Sequence, residues 1–251
     1  MLDDGWPIWS SVEDRSPNVL RVKIRAAIPE AYAGVLLDEF SGRLLESYRH
    51  TAIVELVEVA SHDVLGFLEF MRTSKLLMTS PIATWTLTDH SEGTGRTPTG
   101  QLVYDAKYQG DVAAAEQLAI EFCQRMVRHP AVTSSDLVVP VPGRAHALSE
   151  PLAMLLARKL SAAVDVKYDS VVKKTSPSAP IKNTPLADRE QLLKGVFRSS
   201  VDLGNKRVTV VDDLVQTGST VKAVSEALMK AGAVRVVALA ATAARPWSVA
   251  M

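Results

Sequence analysis

Residues 208–220 read VTVVDDLVQTGST, and this stretch decides the fold of the chain around it. A run of apolar residues, most of them β-branched, ends in two acids, Asp212 and Asp213. Such a run is typical of a strand in the interior of a sheet, and we predict a strand from Arg207 to Val211. A helical pattern follows from Ser219 to Ala231, so the stretch predicts a strand, a short loop and a helix.

Strands and helices alternate on both sides of this stretch. The alternation predicts an α/β fold with a mostly parallel sheet covered by helices. Ligands of such sheets bind beyond the carboxyl ends of the strands, which is where the two acids lie. The predicted elements of this part are helices at 111–127, 148–163 and 219–231 and strands at 137–141, 167–172, 207–211 and 234–241.

The first 88 residues predict an additional small α/β unit. Apolar and basic residues alternate over 20–25, which indicates a half-buried strand. We predict helices at 29–48 and 63–77 and strands at 53–59 and 84–88. The segment 89–100, DHSEGTGRTPTG, is rich in Gly, Ser, Thr and Pro and predicts a linker or exposed loop before a second domain at 101–251. The role of the first unit is open between partner binding, formation of a homodimer and completion of a ligand site.

Composition excludes several classes of protein. The 28 basic and 28 acidic residues give a formal net charge of zero, so no global field favours nucleic acid or an anionic membrane. Cys123 is the single cysteine, which rules out an intramolecular disulfide and a multi-cysteine zinc site. The N-terminus lacks the pattern of a signal peptide, and no apolar run approaches the roughly 20 residues of a membrane helix. We therefore predict a cytoplasmic protein with no membrane partner.

The segment after the strand has the groups that a phosphorylated sugar requires. Two carboxylates at the sheet edge can accept hydrogen bonds from a vicinal diol such as the 2′ and 3′ hydroxyls of ribose. Gly218 lets the backbone approach a ligand closely, and the helix N-terminus favours a phosphate. A Walker loop is excluded because the segment has no lysine, and a dinucleotide fingerprint is excluded because it has one glycine. The simpler alternative is that Asp, Ser and Thr only cap the helix.

With these residues the stretch resembles the motif that binds phosphoribosyl pyrophosphate (PRPP) in type I phosphoribosyltransferases. The resemblance implies that Asp212 and Asp213 contact the ribose hydroxyls, and that they are the catalytic residues and the ligands of a Mg²⁺ cofactor. It also implies a 5′-phosphate site made by four residues of the loop, namely Thr217, Gly218, Ser219 and Thr220.

Further motifs resemble the ComF-like branch of that family over residues 101–245. They are Ala106-Lys-Tyr-Gln-Gly110, Val139-Pro-Val-Pro142, Leu155-Leu-Ala-Arg158 and Gly195-Val-Phe197. This resemblance implies a pyrophosphate loop at Gly143 and Arg144, although Arg144 is alternatively a solvated loop residue. The chain departs from the branch in three respects. It lacks the four-cysteine zinc motif, it has a shorter loop after Pro142, and Leu192 occupies the place of an asparagine that commonly follows the arginine matching Arg189.

Basic residues flank a proline-containing loop that begins at Lys174. Enzymes of this fold close a mobile loop over the substrate and exclude water, so we assign Lys174 and Arg189 to such a loop. A solvated surface loop is the alternative. His146, in the loop after the predicted strand 137–141, is predicted to be a bystander.

The resemblance implies a transfer in which a nitrogen nucleophile displaces pyrophosphate from C1 of the ribose of PRPP. Such reactions pass through an oxocarbenium-like sugar, and Mg²⁺ prefers the phosphate oxygens of the leaving group. The nucleobase or other nucleophile is not identified, because no aromatic-rich cover for a base is evident and Trp247 is the nearest candidate. The alternative is a non-catalytic accessory protein that senses nucleotides or binds single-stranded DNA during DNA uptake.

Overall fold

The computed structural model describes residues 9–16, 18–26, 28–79, 82–175 and 191–244. The chain forms two compact units, of which the first ends at Thr73 and the second begins at Ser74. Within the described residues, no helix combines the length and the apolar composition that crossing a membrane requires.

The first unit is a four-stranded antiparallel sheet with two helices. Its strand order is β1-β2-β4-β3. The predicted alternation in the second strand is confirmed, because Leu20, Val22 and Ile24 are buried while the residues between them are not. The elements are β1 (Trp9–Ser16), β2 (Val19–Arg25), α1 (Pro29–Glu39), β3 (Gly42–Tyr48), β4 (Thr51–Val57) and α2 (Ser61–Thr73).

The helix predicted over 29–48 is wrong in its second half. Helix α1 ends at Glu39 because Phe40 has an extended backbone, and β3 follows as an edge strand paired with β4. At Gly42 the two strands approach so closely that a Cβ atom would lie 2.2 Å from the carbonyl oxygen of Glu55. Most residues of β3 are exposed, so the strand has no alternation of buried side chains from which it could be predicted.

The second unit contains the elements that position the functional residues. In chain order they are β5 (Lys75–Thr79), β6 (Ile82–Asp89), β7 (Ser91–Glu92), β8 (Gly95–Arg96), α3 (Pro98–Tyr104), a π-helical turn (Asp105–Gln109), α4 (Val112–Met126), α5 (Pro130–Thr133), β9 (Leu137–Pro140), α6 (Leu152–Val164), β10 (Val172–Lys174), β11 (Phe197–Ser199), β12 (Arg207–Val215), α7 (Ser219–Lys230) and β13 (Arg235–Ala243).

A five-stranded sheet forms the centre of this unit, in the order β5-β6-β13-β12-β9. The last four strands of that order are mutually parallel and β5 is antiparallel to β6, so the predicted α/β class with a mostly parallel sheet is confirmed. On one face Val208 and Val210 belong to the same apolar core as Val221 and Val224 of α7. On the opposite face α6 packs against β9 and β12.

The strand predicted at 167–172 is replaced by a different arrangement. Only Tyr168 forms a bridge to the sheet, through Val138. Strand β10 begins at Val172 and pairs with β11 in a separate two-stranded ribbon.

The structural division at Thr73 differs from the boundary that the sequence predicts at residue 88. Strand β6 lies beside β13, with Trp85 opposite Leu239, and the Trp85 side chain is fully buried. The predicted linker 89–100 contains the β7–β8 hairpin and the start of α3, which Thr97 caps by accepting the N–H of Gly100 at 3.0 Å. The sequence analysis assigns this strand to the first unit because β13, the strand with which β6 pairs, is distant along the chain.

This topology predicts how the chain can be divided. We expect residues 74–251 to unfold cooperatively without the first unit, and residues 101–251 not to, because the shorter fragment loses β5 and β6. The loss of β6 exposes one edge of β13 and removes the buried Trp85 side chain. Removal of that side chain alone lowers the free energy of unfolding by about 3–5 kcal/mol. Circular dichroism of both fragments during heating measures this difference, and a cooperative transition of 101–251 at the same temperature would contradict it.

Candidate functional site

Strand β12 continues through both acids to Val215, whereas the sequence predicts its end at Val211. Asp212 is opposite Ala240 and Val215 is opposite Ala243 on β13, so the strand keeps the same register with β13 beyond the charged residues. Because side chains alternate along a strand, Asp212 and Asp213 lie on opposite faces of the sheet. The two acids, which are neighbours in sequence, therefore have different surroundings.

Asp213 forms an ion pair with Lys107. The Lys107 Nζ atom lies 2.8 Å from Oδ1 and 2.7 Å from Oδ2 of Asp213, and the two side chains are only 16% and 10% exposed. Burial lowers the pKa of Lys107, but Asp213 together with Asp212 and Tyr108 outweighs it, so the pKa lies above its usual value. The sequence analysis includes Lys107 in the motif 106–110 but gives it no role, because it lies far from the acids along the chain and only the fold brings the two residues together.

Asp212 lines a cavity of about 290 Å³ at the carboxyl edge of the sheet. Its Oδ1 atom accepts the backbone N–H of Asp213 at 2.8 Å. Burial, and then the negative charge of Asp213, raise the pKa of Asp212 to about 7. The cavity thus has one carboxyl group that changes its charge near neutral pH.

The predicted phosphate loop lines the same cavity. Thr217, Gly218, Ser219 and Thr220 all contribute to its wall. Gly218 is the N-cap of α7 and has the left-handed backbone (φ 76°) that favours glycine. Because Gly218 has no side chain, the N-cap position makes no side-chain bond, and the Thr217 Oγ1 atom accepts the N–H of Ser219 only at 3.4 Å. The Thr217 and Ser219 hydroxyls share a hydrogen bond of 2.8 Å, and the amides of Thr220 and Val221 at the start of the helix can donate to an anion.

The loop after β9 starts at the same edge of the sheet. The N–H of Val141 donates to the carbonyl of Val211 at 2.8 Å, so the chain leaves β9 directly beside the acids. Gly143 and Arg144, the predicted pyrophosphate residues, are exposed in this loop. A Cβ atom at Gly143 would have only ordinary contacts, the nearest at 3.7 Å, so space does not require glycine there.

The predicted flexible loop is described in part. Lys174 is exposed at the end of β10. Arg189 lies outside the described residues, as does Trp247.

Three aromatic rings form a cluster beside Lys107. The ring centroids of Tyr104 and Tyr108 are 5.4 Å apart, and those of Tyr108 and His146 are 5.3 Å apart. The Arg96 guanidinium lies 3.6 Å from the centroid of the Tyr104 ring. Tyr108 is 43% exposed. Sequence reasoning found no aromatic surface because its members come from the π-helical turn and its flanks and from the loop after β9, which are separate in sequence.

His90 is a second residue that sequence reasoning missed. It follows β6, and its Nδ1 atom lies 3.2 Å from Oγ1 of Thr242 on β13. Burial, followed by the positive charges of Arg96 and Lys107, lowers the pKa of His90. A neutral imidazole therefore lies at the same edge of the sheet as the acids at neutral pH.

The residues of the site fit a magnesium ion that is bound mainly by phosphate oxygens. In the parts of the chain that the structure describes, no group of three or more metal-binding side chains is present. Both oxygens of Asp213 lie at Lys107, which leaves Asp212 as the carboxylate able to reach an ion in the cavity. One carboxylate together with substrate phosphates and waters is a common environment of Mg²⁺.

Comparison with known proteins gives one family match. Residues 110–249, more than half of the chain, match the phosphoribosyl transferase domain. No curated protein sequence matches the chain.

Several solved structures are similar to the chain. A purine phosphoribosyltransferase from Pyrococcus horikoshii has 18% identity and a TM-score of 0.33, over 53% of this chain and 89% of that one. The glutamine phosphoribosylpyrophosphate amidotransferase from B. subtilis has 14% identity and a TM-score of 0.41, over 93% of this chain and 48% of that one. The adenine phosphoribosyl transferase from Trypanosoma brucei has 13% identity and a TM-score of 0.36, over 68% and 86% of the two chains.

The raised pKa of Asp212 predicts a pH-dependent cost to stability. The unfolded chain ionises an aspartate near pH 4, whereas the folded protein favours the protonated form up to about pH 7. Below pH 4 the group is protonated in both states and does not lower the free energy of unfolding. As the pH rises from 4 to 7 the unfolded chain ionises first, and the free energy of unfolding falls. We expect Asp212→Asn to stabilise the protein by at least about 1 kcal/mol at pH 8 and to have little effect at pH 4. Urea unfolding at both pH values measures the effect, and equal stability of the two proteins at pH 8 would be incompatible with it.

Proposed function

The chain belongs to the phosphoribosyl transferase domain family, and from this premise we propose that it binds PRPP and transfers the phosphoribosyl group to a nitrogen nucleophile with release of pyrophosphate. The observation that supports the proposal best is the cavity shared by Asp212 and the loop 217–220. A carboxylate able to bind a sugar diol and an uncapped helix N-terminus with a glycine in the left-handed conformation face one space.

The two ends of the cavity differ in charge, which favours one orientation of the ligand. The 5′-phosphate binds at Thr217–Thr220, where the N-terminus of α7 stabilises negative charge. The ribose hydroxyls donate to Asp212. Asp213, which Lys107 holds on the opposite face, positions Asp212 through its backbone N–H. The C1 end of the sugar then points towards the loop after β9, where Gly143 and Arg144 bind the diphosphate.

In the proposed reaction the bond from C1 to the diphosphate oxygen breaks and a bond from C1 to nitrogen forms. The pyrophosphate leaves with the bonding electron pair, and Arg144 stabilises its charge through paired N–H donors. Mg²⁺, when bound, neutralises diphosphate charge, and Asp212 is the side chain that reaches it.

The aromatic cluster supports a planar heterocycle as the acceptor. Tyr108 follows Lys107 directly and has a ring that is 43% exposed, on which a planar base can stack. His90 accepts the proton that the nitrogen loses, because its imidazole is neutral at the pH of the reaction. We therefore propose a nucleobase as the acceptor class.

The second candidate function is binding without transfer. The motifs at 106–110 and 139–142 support the ComF-like branch, which favours a nucleotide-sensing or DNA-uptake accessory protein that binds single-stranded DNA. The two functions differ in one measurable product, because only the transferase releases pyrophosphate from PRPP when a base is added.

We expect PRPP with Mg²⁺ to raise the melting temperature of the protein, and we expect the same of ribose 5-phosphate. A ligand at a hundredfold excess over Kd contributes about 2.7 kcal/mol. Thermal shift measures binding, and a coupled assay of pyrophosphate release with a panel of nucleobases tests transfer. Absence of any shift at millimolar PRPP would overturn the proposal. Binding without release under all acceptors would favour the second function.

We expect Asp212→Asn to weaken ribose 5-phosphate binding at least about tenfold, because a hydrogen bond to a charged group contributes about 1.5–3 kcal/mol. Asp202→Asn is the matched control, since Asp202 lies in the turn before β12, at the opposite end of that strand, and accepts the N–H of Gly204. Calorimetric titration compares the two variants. Equal affinities would exclude Asp212 as the ribose ligand.

We expect Gly218→Val to abolish binding of the 5′-phosphate and Gln216→Ala to have less than about a threefold effect. A β-branched side chain is strained at φ 76° and blocks the approach of the phosphate to the backbone. Gln216 lines the same cavity but occupies a position that the proposed phosphate contacts do not use. Titration with ribose 5-phosphate compares them, and similar losses in both variants would argue against a phosphate site at Gly218.

A further inference from the structure

We propose that Lys107 is a positioning residue that couples the ribose end of the site to the diphosphate end. The proposal rests on the proposed function and adds a role for a residue outside the phosphate motif. The side chain of Lys107 fixes Asp213, and its backbone bonds to the loop that contains Gly143 and Arg144. The same residue therefore contacts both halves of the site.

The side-chain half of the coupling is the ion pair with Asp213. Both carboxylate oxygens lie within 2.8 Å of the ammonium, and the pair is largely buried. A carboxylate with both oxygens at one cation has little freedom to rotate. A displacement of Lys107 therefore moves Asp213, and with it the backbone N–H that Asp212 accepts at 2.8 Å.

The π-helical turn gives Lys107 its position. Turns with this wider hydrogen-bonding pattern are rare and occur frequently at functional sites. The turn follows α3 directly and ends at Gly110, whose left-handed backbone (φ 72°) directs its N–H to the carbonyl of Asp105. A continuous α-helix through Gly110 would rotate Lys107 away from its present direction.

The backbone half of the coupling is the contact with the loop after β9. The N–H of Ala147 donates to the carbonyl of Lys107 at 3.3 Å. A Cβ atom at Gly110 would lie 2.9 Å from the carbonyl oxygen of Ala147, so the loop packs directly on the turn. The rings of Tyr108 and His146 add a third contact between the same two segments.

Lys107 and its contacts link Asp213 to the loop after β9. Ordering one of these two ends lowers the entropic cost of ordering the other. Pyrophosphate bound at the loop fixes Ala147 and the turn, and through Lys107 it fixes Asp213 before the sugar arrives. By thermodynamic linkage the sugar phosphate favours pyrophosphate binding by the same factor. Lys107 thus contributes to affinity for the whole PRPP molecule without contacting it.

The test is a coupling measurement on the full chain by calorimetry with Mg²⁺ present. The coupling factor is the ratio of the ribose 5-phosphate Kd without and with saturating pyrophosphate. Direct repulsion between the two ligands is the same in every variant, so the variants are compared with the wild type. We expect the factor to fall at least about fivefold in Lys107→Met and to recover in part in Lys107→Arg, which retains the charge.

Gly110→Ala tests the backbone half separately and keeps the test valid if Lys107→Met does not fold. It retains the charges of Lys107 and Asp213, but it displaces Ala147 and strains the turn at φ 72°. We expect the coupling factor to fall about fivefold, as in Lys107→Met. Gly204→Ala is the control, because Gly204 also has a positive φ (43°) but an added Cβ would contact nothing within 4 Å.

The outcomes separate this inference from the function on which it rests. A wild type that binds neither ligand overturns the proposed function and the coupling together. A wild type that binds both, with a coupling factor unchanged in Lys107→Met or in Gly110→Ala, overturns the coupling alone. Loss of the factor in both variants, with Gly204→Ala unchanged, supports it.

Discussion

The ion pair between Lys107 and Asp213 is the interaction on which the geometry of the carboxyl edge depends. Removing one partner of a buried pair leaves an uncompensated charge and costs about 3–5 kcal/mol, whereas the intact pair contributes little net stability. The pair is therefore important because it fixes the positions of the groups around it and not because it stabilises the fold. It joins the helical segment before α4 to the interior strand β12, and it keeps a negative charge beside Asp212, which contributes to the raised pKa of that group.

The adjacent acids have separate tasks because the strand continues through them. On an extended backbone one acid points to each face, so Asp213 meets the lysine and Asp212 meets the cavity. A loop at this position would leave both carboxylates free to rotate towards solvent. The pairing of β12 with β13 beyond the acids is thus part of the site, since it sets the directions of both side chains.

What the sequence predicts well is local. The strand at 207–211, the turn with Gly218 and the helix that follows are specified by consecutive residues, and the α/β class follows from their alternation with other elements. The end of β12 was predicted too early because two charged residues are unusual inside a ladder. Their place in it depends on the register with β13, which local patterns do not contain.

Features that depend on contacts between distant segments were missed. Strand β6 has its main partner in β13, so its membership of the second unit is not visible in the residues around it. The position of Lys107 depends on a π-helical turn, and hydrophobic periodicity does not distinguish such a turn from ordinary helix. The aromatic cluster requires the loop after β9 to fold onto that turn, which brings His146 to Tyr108.

The opposite orientation of the two acids limits which changes in chain length this protein tolerates. An extra residue in the exposed turn before β12 lengthens a surface connection and leaves every pair of the ladder in place. An extra residue inserted between Val211 and Asp212 would exchange the faces of all the residues that follow, so that the carboxylate now in the cavity would meet the lysine. Insertions and deletions in related chains should therefore accumulate on the amino side of β12 and be excluded between its centre and Gly218.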